Sequence, residues 1–415
     1  MTIANAGANA PVQDDHSRTP ATASALASGP ALVAAAAILL GLAGGAYALG
    51  LHGETRLAIS VVFGAIFGVT LQRSRFCFFC MFRDWYDRRD PRGLYGLIVA
   101  LAVGIAGYTV VFGAWLPDAT TGRLPPDAFI GPVSIALVAA GLVFGAGMAV
   151  SGSCVSAHLY RLGEGSPTAP FALVGTAVGF AAGYASWNDL YLTVIADTPT
   201  VWLPRWLGYS GALVAALSVL GLIAVLLKQT SKPYPAEPAE IADTATRWLV
   251  TRWPAWIGGA IIGMLGTAAY FRVAPLGVTA EIAGLAKRAA SQTGVAPDRL
   301  PGLDTLRGCV SVARDTLLSP NGAFVVALVA ASFAAALAAR QFKPVTPQRG
   351  HIVRGLAGGV LLGWGAMTAL GCTVGTLLSG IMAGALSGWV FGAAVFAGSA
   401  VTLRIGRRAG LLPLP

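Results

Sequence analysis

Between residues 355 and 403 the chain runs for 49 residues without one charged side chain. A bilayer crossing takes about 17–25 apolar residues, so this run is long enough for two. Further uncharged runs at 31–51, 93–117, 128–160, 165–188, 206–227, 253–271 and 316–339 are each candidate spans. The run at 57–72 is shorter and suits a thin or partly re-entrant segment, whereas 128–160 exceeds one span. Only helices and closed barrels satisfy their own backbone in lipid, and runs of this length are helical. The expected fold class is an all-α integral membrane protein with nine or ten transmembrane helices.

Composition agrees. Charged residues make up 11% of the chain, against about 25% in soluble domains. The net charge of +10 does not point to nucleic acid, because the basic residues fall in short gaps between apolar runs rather than on one face. Arg73, Arg75, Arg83, Arg88, Arg89 and Arg92 place 73–92 on the cytoplasmic side. The linker 228–252, the loop 340–354 and the tail 404–415 follow to the same side. The loops 116–131 and 188–205 fall outside, as does 273–303 despite Lys287, Arg288 and Arg299. Residues 1–28 lack a basic start leading into an apolar stretch and read as a disordered cytoplasmic tail rather than a signal peptide. The expected organisation is an extra N-terminal helix at 29–56, a first membrane repeat at 57–227, the linker, and a second repeat at 253–403. Trp115, Trp187, Trp202, Trp206, Trp253 and Trp389 suit an aromatic belt, and His52 and His351 fall in short solvated loops.

The repeat is read from cysteine. Gly141, Gly145 and Gly147 lead to Cys154, and Gly359, Gly363 and Gly365 lead to Cys372, both as G-x3-G-x-G-x6-C. Upstream, Arg75-Phe-Cys77 with Arg83-Asp84 parallels Arg307-Gly-Cys309 with Arg314-Asp315. The first of these falls inside and the second outside, so the halves run oppositely through the membrane. That is the inverted-topology repeat of secondary transporters, whose substrate site lies where the halves meet.

Ser151-Gly-Ser-Cys154 and Leu370-Gly-Cys372-Thr-Val-Gly375 interrupt apolar runs with small residues, predicting broken or re-entrant half-helices. A break frees backbone N–H groups, and the following half-helix turns its positive end toward an anion. Arg75, His158, Tyr160, Arg161 and Thr373 lie close enough in sequence to line the same vestibule. A thiol is a soft, weak donor suited to terminal sulfur. It must stay protonated, since a thiolate about 4 Å from a dianion repels it by roughly 8 kcal/mol at a dielectric of 20. A free buried cysteine is also often only a small hydrophobe. Cys77 and Cys80 form a CxxC with no second pair and no His nearby, which disfavours zinc. Cys80 has no repeat partner and reads as a bystander. The Arg-Asp pairs either anchor helices or gather anions at the mouths.

At these residues the chain resembles the YeeE/YedE family of prokaryotic sulfur transporters. The resemblance lies in Leu71-Gln-Arg-Ser-Arg-Phe-Cys77-Phe with Phe82-Arg-Asp84, in Gly145-Ala-Gly147 through Cys154 to Leu159-Tyr-Arg-Leu-Gly-Glu-Gly-Ser166, and in Gly363-Trp-Gly365 through Cys372 to Gly388-Trp-Val-Phe391. It implies import of thiosulfate across the cytoplasmic (inner) membrane, while the basic loops place both termini on the cytoplasmic side. The implied pathway cysteines are Cys77, Cys154 and Cys372, relaying the ion by hydrogen bonds, with no cofactor. A small cytoplasmic sulfurtransferase is the implied partner. Cys309 is added by the repeat alone. The chain departs from the family at Ser153, where Gly is expected, and at Thr373, where Asn is expected. Alternatives are transport of a selenium compound or another sulfur oxyanion, a membrane thiol redox or sulfur-transfer enzyme using Cys77 and Cys80, and a scaffold docking a sulfurtransferase.

Overall fold

The computed structural model describes residues 29–231, 251–297, 299–310 and 319–412. The predicted N-terminal tail, most of the linker and the pair Arg314/Asp315 lie outside the described residues. The helices in chain order are α1 (Gly29–Leu51), α2 (Thr55–Ser74), α3 (Phe78–Arg88), α4 (Arg92–Trp115), α5 (Ile135–Ser151), α6 (Val155–Gly163), α7 (Ala169–Leu190) and α8 (Leu203–Thr230). They continue with α9 (Ala255–Arg272), α10 (Ala280–Gln292), α11 (Pro320–Ala338), α12 (Arg349–Thr368), the wide-turned α13 (Thr373–Met382) and α14 (Leu386–Arg408). Among the described residues eight helices are long and apolar enough to cross a membrane, or nine when the pair α12 and α13, bent by 44°, is taken as one broken span. The 49-residue run is thus a long helix, a break, a half-helix and a second long helix.

Lipid tails are as apolar as leucine, so membrane helices associate through close packing rather than the hydrophobic effect. Here the close packing joins the two halves. On α2, a Cβ at Gly64 or Gly68 would strike the carbonyls of Phe324 or Leu328 on α11. On α9, Gly259 and Gly263 lie in the same way on the carbonyls of Gly96 and Ala100 of α4. Gly175 and Gly179 of α7 meet Leu356 and Val360 of α12, and Gly145 of α5 meets Val395 of α14. In the first three seams, each marked by two such contacts, the numbers rise together along both helices, so the partners are parallel.

Exchanging α2 with α9, α4 with α11, α5 with α12 and α7 with α14 maps this set of pairings onto itself. The exchanged helices α5 and α12 also pack on each other, but in opposite register: Gly147 faces Gly358 while Gly365 faces Ala140 and Phe144. Equivalent helices therefore run antiparallel, as an inverted repeat requires. The half-helices α3 and α10 correspond in this order, as do α6 and α13. Two expectations change. First, α8 precedes α9 as α1 precedes α2 and packs on α4 as α1 packs on α11, so it is the counterpart of α1 and opens the second repeat, although the sequence reading placed it in the first. Second, the cap of α3 is Cys77, but the cap of its counterpart α10 is Thr279 rather than Cys309. Cys309 belongs to the chain that follows α10.

Loops assigned to one side meet there. Trp253 donates its N–H to the Arg73 carbonyl (3.0 Å), and Lys343 donates to the Glu164 carbonyl (3.2 Å). Arg407 makes a two-pronged pair with Asp87 at 2.6 and 2.7 Å. On the opposite side Arg307 lies 3.7 Å from Asp127. The Arg83–Asp84 pair singled out from sequence is looser, at 3.6 Å. His52 is exposed, and His351 accepts from the Gln348 N–H at the start of α12 (3.2 Å). Trp115 and Trp206 are exposed as a belt requires, but Trp187 and Trp202 are buried, with their indole N–H groups satisfied by the carbonyls of Pro301 and Ala383.

Gly44 of α1 has open space where its Cβ would stand. Gly68→Leu should therefore lower the melting temperature in detergent sharply, by the equivalent of about 3 kcal/mol, and Gly44→Leu should leave it nearly unchanged. Equal effects at both positions would show that the α2–α11 seam does not hold the halves together.

Candidate functional site

Each half presents a pair of breaks. In the first half α2 ends when Arg75 turns left-handed at φ 48°, and α5 ends when Gly152 does so at φ 82°. Arg75 is half-buried beside the break it makes. The chain then returns to helix with Cys77 and Cys154 as extended cap residues of α3 and α6. Their sulfurs are 3.9 Å apart and neither side chain is solvent-exposed. Cys77 Sγ accepts the Cys80 N–H at 3.4 Å, as a cap should. Cys154 Sγ contacts the Ser156 hydroxyl at 3.3 Å and has the amides of Phe78 and Ala157 beside it. Two half-helix N-termini thus close on one pair of thiols.

Arg161, two turns along α6, donates from Nη2 to Cys80 Sγ at 3.3 Å. Cys80, read from sequence as a bystander, is thus the third sulfur of this cluster and accepts from the Arg161 guanidinium. The sequence reading missed the contact because 81 residues separate the two. His158 is tied instead to the end of α5, its Nε2 3.1 Å from Ser151 Oγ.

The second half repeats the device with other side chains. Leu370 turns left-handed at φ 62°, a backbone region that a branched residue enters only under constraint. Cys372 follows as the extended cap of α13, beside the amides of Val374 and Gly375. The Cys309 sulfur is wedged where a Cβ on Gly277 or Gly375 would strike it, so its thiol touches both breaks of this half. Thr373 is fully buried and its hydroxyl has no partner. A cavity of about 20 Å³ abuts this break, lined by Arg307, Thr368, Leu370 and Thr376 among others. It has room for about one water molecule.

The sequence-predicted site residues therefore separate into two stations. Cys77, Cys154 and Arg161, joined by Cys80, form one, with Arg75 at its edge. Cys372, Cys309 and Thr373 form the other.

At the end of α6 a polar knot ties the first station to the rest. Gln72 of α2, fully buried, donates to Gln341 at 2.7 Å and to Glu164 at 3.3 Å. Burial raises the pKa of the Glu164 carboxyl; the charges of Arg161, Arg75 and Arg252 and the Gln72 hydrogen bond oppose this without cancelling it.

Oppositely oriented halves, half-helices capped by thiols and a nearby guanidinium define a membrane transporter for an anion. The sulphur-transport family pattern matches residues 73–401, and the chain belongs to that family. It is similar to the thiosulfate transporter TsuA of Escherichia coli (strain K12), 29% identical over 344 residues that cover 79% of this chain and 88% of the relative. The thiosulfate transporter TsuA of Spirochaeta thermophila is 27% identical over 341 residues, 79% of this chain and 92% of the relative. A probable transporter YedE of Salmonella typhimurium matches at 26% over 46% of this chain and 45% of its own length. The chain is a multi-pass transporter of a small sulfur anion.

A raised carboxyl pKa means that the folded protein binds its proton more tightly than the unfolded chain does, so stability falls as pH rises above the ordinary value of 4.5. Glu164→Gln should remove that loss. Melting curves collected from acidic to neutral pH should then be flatter for the variant. Parallel curves for wild type and variant would show that Glu164 is not the titrating group.

Proposed function

We propose that the chain imports thiosulfate across the prokaryotic cytoplasmic membrane, with both termini on the cytoplasmic side. The anion enters past Arg307, meets Cys309 and Cys372, passes to Cys77 and Cys154, and leaves beside Arg161 and Arg75. The observation that carries this reading is the pair of cap thiols 3.9 Å apart at the meeting of two half-helix N-termini, in a member of the sulphur-transport family. The name of the TsuA relatives supports thiosulfate as the cargo.

The chemistry fits that cargo. Thiosulfate carries a soft terminal sulfur and a hard, oxygen-rich end. Thiols donate weakly to the first, and weak donors release as readily as they bind. The fixed dipoles of the half-helices hold the dianion without a cation bound so tightly that it becomes a trap. No bond is made or broken, so the cysteines act as hydrogen-bond donors rather than nucleophiles. On the cytoplasmic side a small soluble sulfurtransferase would consume the thiosulfate as it emerges and keep the gradient inward.

Uptake in cells that lack other thiosulfate routes tests the assignment. Cys154→Ala and Cys372→Ala should each lower thiosulfate-dependent growth about tenfold or more, the effect of losing a hydrogen bond to a charged group. Cys→Ser at the same positions should retain measurable uptake, because a hydroxyl still donates. Undiminished uptake in both Ala variants would refute the pathway. Dead Ser variants together with a trapped mixed disulfide would replace hydrogen-bond relay by thiol chemistry.

A further inference from the structure

Three of the four half-helices begin with a cysteine: Cys77 on α3, Cys154 on α6 and Cys372 on α13. The fourth, α10, begins with Thr279. Its hydroxyl behaves unlike most hydroxyls in the bundle. Thr70, Thr109, Thr176 and Thr267 each donate to the carbonyl four residues back, the usual way to satisfy a hydroxyl in an apolar helix. Ser134 and Ser319 use theirs to cap α5 and α11. Thr279 makes no side-chain cap bond. It is fully buried and its Oγ1 has no hydrogen-bond partner of good geometry. It lies instead beside the thiols of both Cys309 and Cys372.

A buried hydroxyl without a partner destabilises the protein by about 1–3 kcal/mol. Neither capping nor back-bonding explains its retention here. We propose that Thr279 is a substrate-binding residue of the second station, donating its hydroxyl proton to a hard oxygen of the anion while Cys309 and Cys372 face the anion's sulfur. This rests on the transport reading above and deepens it. At the first station the Ser156 hydroxyl and the Arg161 guanidinium are each engaged with a sulfur, whereas the second sets two thiols beside buried hydroxyls, Thr279 and Thr373, that have no such partner. A ligand with one soft end and one oxygen-rich end meets thiols and uncommitted hydroxyls together at the second. An anion that offers sulfur alone gains nothing from Thr279.

The test is Thr279→Val, which keeps shape and removes the hydroxyl, with Thr279→Ser as the conservative control. Uptake should be measured against thiosulfate concentration, and melting temperature on the same purified proteins. In T279V the half-saturating concentration should rise about tenfold with the melting temperature unchanged or higher, since an unpartnered polar group has gone. T279S should transport much as the wild type. Wild-type uptake by T279V, alongside loss in Cys372→Ala, would overturn this inference and leave the transport reading standing. Wild-type uptake by both would overturn the placing of Cys372 on the pathway, and with it the second station on which this inference rests. Loss in T279S equal to that in T279V, or a lowered melting temperature in T279V, would assign Thr279 to packing and overturn the inference.

Discussion

Lipid offers no hydrogen bonds, and every other feature of this protein follows from how its broken helices live with that fact. An unsatisfied backbone group in hydrocarbon costs several kcal/mol. The chain nevertheless breaks next to Cys77, Cys154 and Cys372 and again ahead of Thr279. It tolerates the breaks because they are walled off by protein, and the wall is tight because glycine lets backbones touch at the α2–α11, α4–α9, α7–α12 and α5–α14 seams. The freed amides then face each other's cap residues instead of lipid. What would be a defect in a single helix becomes, in pairs, a polar interior.

Much of this was legible in the sequence because its causes are local. The uncharged runs gave the spans, and the Gly-rich motifs ahead of Cys154 and Cys372 marked two breaks correctly. The repeat was found from the same motifs. The fourth break was misassigned because the Cys77/Cys309 alignment followed residue type, whereas the fold follows helix order; Thr279 carries no motif. Nor does periodicity reveal long-range pairs. Arg161 reaching Cys80, and Asp87 gripping Arg407 across 320 residues, depend on which helices become neighbours. Trp187 and Trp202 were read as belt residues because indole suits an interface, yet their N–H groups found interior carbonyls.

The seams also constrain how the transporter moves. Rocking one half as a rigid body against the other would slide four glycine-lined contacts at once, with backbone against backbone and no side chains to yield. The breaks are softer. They already hold residues in the left-handed region at Arg75, Gly152 and Leu370, and the adjoining cavity admits about one water. A larger anion passes only if something opens, and local rearrangement at the half-helices opens a path without shearing the seams. In the proposed pathway thiols suit such an opening, because small shifts of a weak donor would hand over the ion without a deep energy well.

Interlocking also sets the order of biosynthesis. The membrane-inserted α2 waits for α11, α4 for α9, and α5 for α14, the last described helix of the chain. Until each partner is threaded in, the glycine faces border lipid, where they have nothing to grip. Neither half is a complete object during translation, and the early helices must idle side by side while the later ones are made. The junction of the halves is therefore not a gap left between two finished domains: it closes only when α14 docks on α5.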